Sequence, residues 1–198
     1  MEEYVNQIEL RGLAAGAPLL SHENHGRRFY RLPLEVERLS GAVDRLPQLL
    51  EQRLLEAVCP GQMLFVRGQV RSYNQRLPDR RRLVISVLAE ALWPEAGEPE
   101  NRVQLTGALC REPVYRRTPL GREICDGMLA VNRPYHRADY LPCIFWGRTA
   151  QTVADLPVGA LLHIEGRQQS RDYVKQLDSG PESRTAYVIS VVTAELVG

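Results

Sequence analysis

The chain repeats itself, and no other feature restricts its fold as strongly. Asn6-Gln-Ile-Glu-Leu-Arg-Gly12 is matched by Asn101-Arg-Val-Gln-Leu-Thr-Gly107 at an offset of 95 residues, and Asp44-Arg-Leu-Pro47 by Asp139-Tyr-Leu-Pro142 at the same offset. Further on, Gly61-Gln-Met-Leu-Phe-Val-Arg-Gly68 and Ser72 line up with Gly159-Ala-Leu-Leu-His-Ile-Glu-Gly166 and Ser170 at an offset of 98. The closing segments Val84 to Leu92 and Val188 to Val197 share an Ala-Glu pair. Self-similarity at one spacing marks a repeated structural unit, so the chain is expected to form two copies of one fold. Residues 1–93 make the first unit and 101–198 the second, joined by the acidic, Pro- and Gly-containing segment 94–100.

Within each unit the hydrophobic period is mostly two. Val103 and Leu105 alternate with Arg102, Gln104 and Thr106; Leu129 and Val131 alternate with Ala130 and Asn132; Leu162 and Ile164 alternate with His163 and Glu165. Tyr140 to Trp146 is a continuous apolar run, and a last strand is expected from about Ala186 to Leu196. Thr149 to Leu156 reads as a short helix stopped by Pro157 and Gly159. Five strands with a helix between the third and fourth is the order of an OB-fold, so the fold class is all-β with two tandem β-barrels. The first unit departs at Ser40 to Val58, where Leu46, Leu49, Leu50, Leu54 and Val58 stand at helical spacing. Either a third strand ends early in a long helix, with Pro47 in its first turn, or that strand is lost.

Composition narrows the function. With 198 residues and 44% hydrophobic content, the chain has material for packed cores, which excludes a disordered protein. Its 25 basic and 24 acidic residues nearly cancel, and the halves divide as 13 and 13 in 1–98 against 12 and 11 in 99–198, so neither is a general polyanion sponge. Lys175 is the only lysine, which leaves arginine, a planar fork suited to phosphates and to stacking, as nearly all the positive charge. No apolar run approaches the roughly 18 residues of a membrane span, and the start lacks a basic segment followed by an apolar one, so a cytoplasmic protein without membrane contact is expected. Cys59, Cys110, Cys125 and Cys143 form no C-x-x-C pair and read as buried thiols. His22, His25, His136 and His163 have no metal-ligand spacing. No nucleophile triad, phosphate-cradling glycine loop or carboxylate cluster is present, so neither a catalytic role, a cofactor nor a metal is expected.

Residues 101–198 resemble the bacterial single-stranded DNA-binding protein (SSB) family. The opening NRVQLTGALCREPVYRRTPLGREI resembles its first strand, its Arg-x-Pro corner at Arg111 and Pro113, and its Thr-Pro-x-Gly turn at Thr118, Pro119 and Gly121. Leu129-Ala-Val-Asn132, Phe145-Trp-Gly-Arg148 and Ile164-Glu-Gly-Arg167 resemble its second, third and fourth strands in the right order. The resemblance implies sequence-independent binding of single strands by base stacking and phosphate contact, in DNA replication, repair, recombination or the maintenance of plasmids and conjugative elements. Its stacking positions fall on Tyr135, Tyr140, Trp146 and Tyr173. Arg111, Arg116, Arg117 and Arg122 in the loop after the first strand, and Arg171, Lys175 and Arg184 in the last hairpin, are candidate phosphate contacts. Arg133, Arg137, Arg148 and Arg167 lie close in sequence to the aromatic set. Stacking needs only a π-face, so RNA is not distinguished from DNA.

Carried back through the repeat, Tyr135 maps to Ser40, Tyr140 to Arg45 and Trp146 to Glu51, and only Tyr73 stands near the counterpart of Tyr173. The first unit is therefore expected to be degenerate, although Arg27, Arg28 and the tip Arg76 to Arg82 remain available to phosphates. By analogy with family members that assemble four OB domains, two tandem copies imply a homodimer. The family's acidic, Phe-terminated tip has no counterpart before Gly198, so its partner-recruiting role is not expected here. The alternative is an OB-fold assembly module of a replication or conjugation complex that binds no nucleic acid. Tyr140, Pro142, Ile144 and Trp146 share one strand face and Leu141, Cys143 and Phe145 the other; both are apolar, so one must meet DNA, a neighbouring subunit or the first unit. Whether the Trp146 face is open or covered separates the two readings.

Overall fold

The computed structural model describes residues 4–78 and 80–197. The first half runs β1 (Asn6–Ala14), β2 (Leu19–Asn24), β3 (Arg27–Glu37), β4 (Val43–Glu51), a 3-10 helix (Gln52–Ala57), β5 (Met63–Arg76) and β6 (Arg81–Pro94). The second half repeats the order as β7 (Glu100–Leu109), β8 (Val114–Arg117), β9 (Glu123–Arg133), β10 (Arg137–Trp146), α1 (Gly147–Ala154), β11 (Leu161–Leu177) and β12 (Gly180–Leu196). Five strands in each half close a barrel: β3-β4-β6-β5-β1 with β1 returning to β3, and β9-β10-β12-β11-β7 with β7 returning to β9. In each barrel one closing pair is parallel, β4 with β6 and β10 with β12, as the OB-fold requires. The short strands β2 and β8 are additional to the five and hem the barrels at β3 and β9.

The repeated glycines stand where the barrels are tightest. A side chain at Gly12 or Gly107 would collide with the backbone carbonyl of Glu35 or Ala130 at the closing seam. One at Gly68 or Gly166 would collide with that of Leu88 or Ser190, beside the register shifts that let β5 and β11 bend from one barrel wall to the next.

Residues 40–58 form a strand followed by one short helical turn, not a long helix. Asp44, Leu46, Gln48 and Leu50 point inward from β4, and Leu54 is buried from the 3-10 helix. A spacing of four is even, so Leu46 and Leu50 satisfy one face of a strand as well as one face of a helix; pairing with β3 and β6 decides between them. Pro47 lies in the strand opposite Pro33 and starts no helix.

The two barrels share one continuous sheet. β1 and β7 pair antiparallel with Ile8 opposite Val103, Asn6 opposite Leu105 and Leu10 opposite Asn101, so equivalent residues meet about a pseudo-twofold axis. The other repeated polar residues lock this junction twice. Asp44 accepts from the Ser170 backbone N–H at 2.7 Å and from Arg38 at 2.8 Å, while the Arg45 N–H donates to Ser170 Oγ at 2.9 Å. At the other end Asp139 accepts from the Ser72 N–H at 2.7 Å and from Arg71 at 3.0 Å, and the Tyr140 N–H donates to Ser72 Oγ at 2.7 Å. Asp44 and Asp139 are 1% and 0% exposed, and each is compensated by main-chain donors and guanidinium groups as a buried carboxylate requires. Asn6 and Asn101 add another matched pair, each clamping the backbone of β5 at Val70 or of β11 at Gln168. Arg11 pins the connection between the barrels through Glu95, the Glu98 carbonyl and Glu100.

Two cysteines depart from expectation. Cys125 and Cys143 are buried in strands, but Cys59 and Cys110 are exposed, because each lies just past the end of its regular element, where the chain turns. No helix among the described residues is long and apolar enough to cross a membrane.

Candidate nucleic-acid interface

β10 carries the centre of the aromatic set. Its inward residues Leu141, Cys143 and Phe145 fill the second barrel, while Tyr140 and Trp146 on the other face stay 44% and 38% exposed. That face is open to solvent, not covered by the first barrel. The Trp146 indole N–H donates to Ser190 Oγ at 3.0 Å, which fixes the ring plane. Arg116, Ile124 and Trp146 occupy one row across β8, β9 and β10, and Ile144, Ser190 and Arg167 one row across β10, β12 and β11. Cross-strand neighbours share a face, so Arg116 and Arg167 lie on the same face as the indole, Arg116 two strand spacings, about 10 Å, away.

Tyr135 stands at the β9–β10 hairpin tip and is 91% exposed. Its φ of 65° and that of His136, 53°, are left-handed in residues other than glycine, a conformation that costs energy and tends to be kept at functional tips. Tyr173 is 39% exposed on the β11–β12 arm, directly opposite Arg184. Arg184 is not a free cation: its side chain is 9% exposed and donates to Glu182 at 2.6 Å, and the same cluster takes in Arg80 from the first barrel. The Arg76 to Arg82 tip includes Asp79, which lies outside the described residues.

The candidate phosphate contacts divide by pairing. Arg116 is held by Asp126 at 2.6 Å, Arg117 by Glu123 at 3.1 Å, and Arg133 lies 3.5 Å from Asp139. Glu123 is itself anchored: hydrogen bonds from the Tyr115 hydroxyl first, then from Arg117 and Gln151, hold its carboxyl below the usual range. Arg111, Arg122, Arg148, Arg167, Arg171 and Lys175 are exposed, and among the described residues no carboxylate forms an ion pair with them. The hairpin tip brings Arg133, Tyr135, Arg137 and Tyr140 to one depression, together with Tyr4. Trp146 and Tyr173 lie beyond it.

The equivalent surface of the first barrel is occupied by its own charges. Arg45, in the place of Tyr140, lies 3.6 Å from Glu35; Glu51, in the place of Trp146, is approached by Arg53 at 3.3 Å and Arg27 at 4.0 Å. Its exposed aromatic counterpart is Tyr73, 48% accessible. Elsewhere on this barrel Phe65 and Trp93 stack at 4.9 Å beneath Arg11 and Arg67. Sequence reasoning missed Tyr4, which reaches the second barrel's depression from the first half, Arg71, which with Tyr4 lines an adjoining one, and Ser190, which orients Trp146. The repeat of Ser72 at Ser170 was the available signal, since it marks where one barrel touches the other.

This geometry defines a pair of OB-fold barrels fused through a shared sheet, with an open aromatic and cationic face on the second. Residues 100–197 match the model of the single-strand binding protein family, and the chain belongs to that family through this half. Single-stranded DNA-binding protein 3 of Listeria innocua is 36% identical over 99 residues, covering 46% of this chain and 59% of that protein. Single-stranded DNA-binding protein A of Bacillus subtilis is 40% identical over 83 residues, covering 38% and 48%. The chain thus spans about half the length of these relatives. The structure of wild-type single-stranded DNA binding protein from Thermus aquaticus has a similar fold across both halves, with a TM-score of 0.80 and 24% identity over 98% of this chain and 94% of that one.

Proposed function

We propose that the protein binds single-stranded DNA without sequence preference and acts by binding, not catalysis, where replication, repair, recombination or plasmid and conjugative-element maintenance exposes single strands. Bases stack on Tyr135, Tyr140, Trp146 and Tyr173. Arg111, Arg122, Arg148, Arg167, Arg171 and Lys175 meet phosphates, and Arg116 and Arg117 do so by exchanging a carboxylate for a phosphate. The observation that carries this reading is the exposed Tyr140 and Trp146 on β10, with Trp146 held by Ser190 on a face that also carries Arg116 and Arg167, set against ion pairs at the equivalent positions of the first barrel. The names of the family's curated relatives give the same ligand. Near-neutral charge fits a binder that relies on stacking, which is worth about 1–3 kcal/mol per base, more than on bulk attraction.

The test is titration of the intact chain with a dT oligonucleotide, followed by tryptophan fluorescence and anisotropy. The expected result is a saturable complex with quenched fluorescence that weakens in Trp146→Ala; no complex at low salt refutes the reading and leaves a protein-assembly role. The homodimer implied by two tandem OB domains is checked separately by sedimentation equilibrium.

A further inference from the structure

The two clasps that join the barrels are not equally charged. At the first, Arg38 alone neutralises Asp44. At the second, Arg71 of the first barrel and Arg133 of the second both face Asp139, whose oxygens are already taken by Arg71 and the Ser72 N–H. Arg133 corresponds through the repeat to Arg38, whereas Arg71 corresponds to Gln169, so the first clasp holds without an equivalent of Arg71. The second clasp therefore carries one guanidinium more than the first. This positive charge lines two adjoining open depressions of about 440 and 650 Å³ between the barrels. Tyr4 and Arg71 come from the first half; Arg133, Tyr135 and Tyr140 from the second.

We propose that this cleft is a nucleotide subsite built jointly by both barrels, in which Arg71 receives a phosphate of the single strand and Tyr4 faces its base. The strand leaves the second barrel past Tyr135 and Tyr140 and crosses onto the first, so the first barrel contributes contacts despite losing its own platform. Asp139 is fully buried and presents no carboxylate edge to a phosphate; it orients Arg71 from below.

The inference rests on single-strand binding, and the experiment separates the two. Anisotropy titrations of a labelled dT oligonucleotide at several salt concentrations compare the full chain with Arg71→Gln, Arg38→Gln, Tyr4→Ala and Trp146→Ala. Arg71→Gln is expected to lower the magnitude of the log K against log salt slope by about 0.7, the value for one phosphate on a single strand. Arg38→Gln removes the guanidinium bond to the equivalent carboxylate at the other clasp and should leave the slope unchanged, whereas a merely structural role for Arg71 would make the two variants behave alike. Tyr4→Ala, outside the clasp, should weaken binding by about 5- to 150-fold, the loss of one stacked base. Wild-type slope in Arg71→Gln with wild-type affinity in Tyr4→Ala, while Trp146→Ala still weakens binding, overturns this inference alone. No binding by the unaltered chain overturns it together with the function.

Discussion

Asp139→Asn tests the junction between the barrels directly. The carboxylate is 0% exposed and accepts from the Ser72 N–H at 2.7 Å and Arg71 at 3.0 Å, with Arg133 at 3.5 Å. An asparagine keeps one acceptor for Ser72 but turns an amide toward the guanidinium groups and leaves them without a counter-charge. Removing one partner of a buried pair costs about 3–5 kcal/mol. The Arg71 and Arg133 side chains are 22% and 26% exposed, so water relieves part of this cost and the lower end, about 3 kcal/mol, applies. At about 2–4 °C per kcal/mol for a chain of this size, the melting temperature should fall by about 6–12 °C in circular-dichroism melts. Asp44→Asn, at the equivalent site, should lose a comparable amount because Ser170 and Arg38 meet it in the same way. A fall of under about 1 °C in both variants, below the effect of even a single ordinary hydrogen bond, would show that the reciprocal clasp does not hold the barrels together.

Trp146→Phe should abolish most of the fluorescence quenching by dT while retaining binding, because Trp93 is stacked on Phe65 in the other barrel; quenching that survives would place the fluorescent contact elsewhere. Arg167→Ala should reduce the salt slope by about 0.7, whereas Arg116→Ala should reduce it less, since Asp126 already neutralises that side chain. In the native protein a thiol reagent should label Cys59 and Cys110 and spare Cys125 and Cys143, read by mass spectrometry; burial also raises the Cys143 thiol pKa far above neutrality. Glu123 titrates below its ordinary value of about 4.3, so the support it gives β8 is complete above that value and lost as pH falls through the lowered one. Hydrogen exchange of β8 amides should rise only in that acid range in the parent, but already at pH 7 in Glu123→Gln; equal protection of the two at pH 7 would refute the anchoring role.

Much of the fold was legible because it is written in local periodicity. Alternation marked most strands, Pro157 and Gly159 bounded the region of α1, and the repeat announced two units before any contact was known. Residues 46 and 50 show where that signal fails: an even spacing serves a strand and a helix alike, and only pairing with β3 and β6 chose the strand, which gives way to the 3-10 helix before Leu54. The identity of the aromatic residues was legible one by one, but their exposure and which arginines lack a carboxylate partner were not, because Arg116, Arg117 and Arg184 find partners only through the sheet and its hairpin.

By itself, then, the sequence determined that one OB-type unit occurs twice and that the positions of Tyr135, Tyr140 and Trp146 are aromatic in the second copy alone. The tertiary structure decided what the repeated Asp44, Asp139, Ser72 and Ser170 do. Nothing local tells a carboxylate that its partner is a serine in the other unit; each is buried and satisfied only because β1 and β7 pair about a pseudo-twofold axis that brings β5 to β10 and β11 to β4. The same crossing sets Tyr4 beside Tyr135 and Tyr140 and Arg71 beside Arg133, a neighbourhood made by long-range pairing and therefore absent from any short-range pattern.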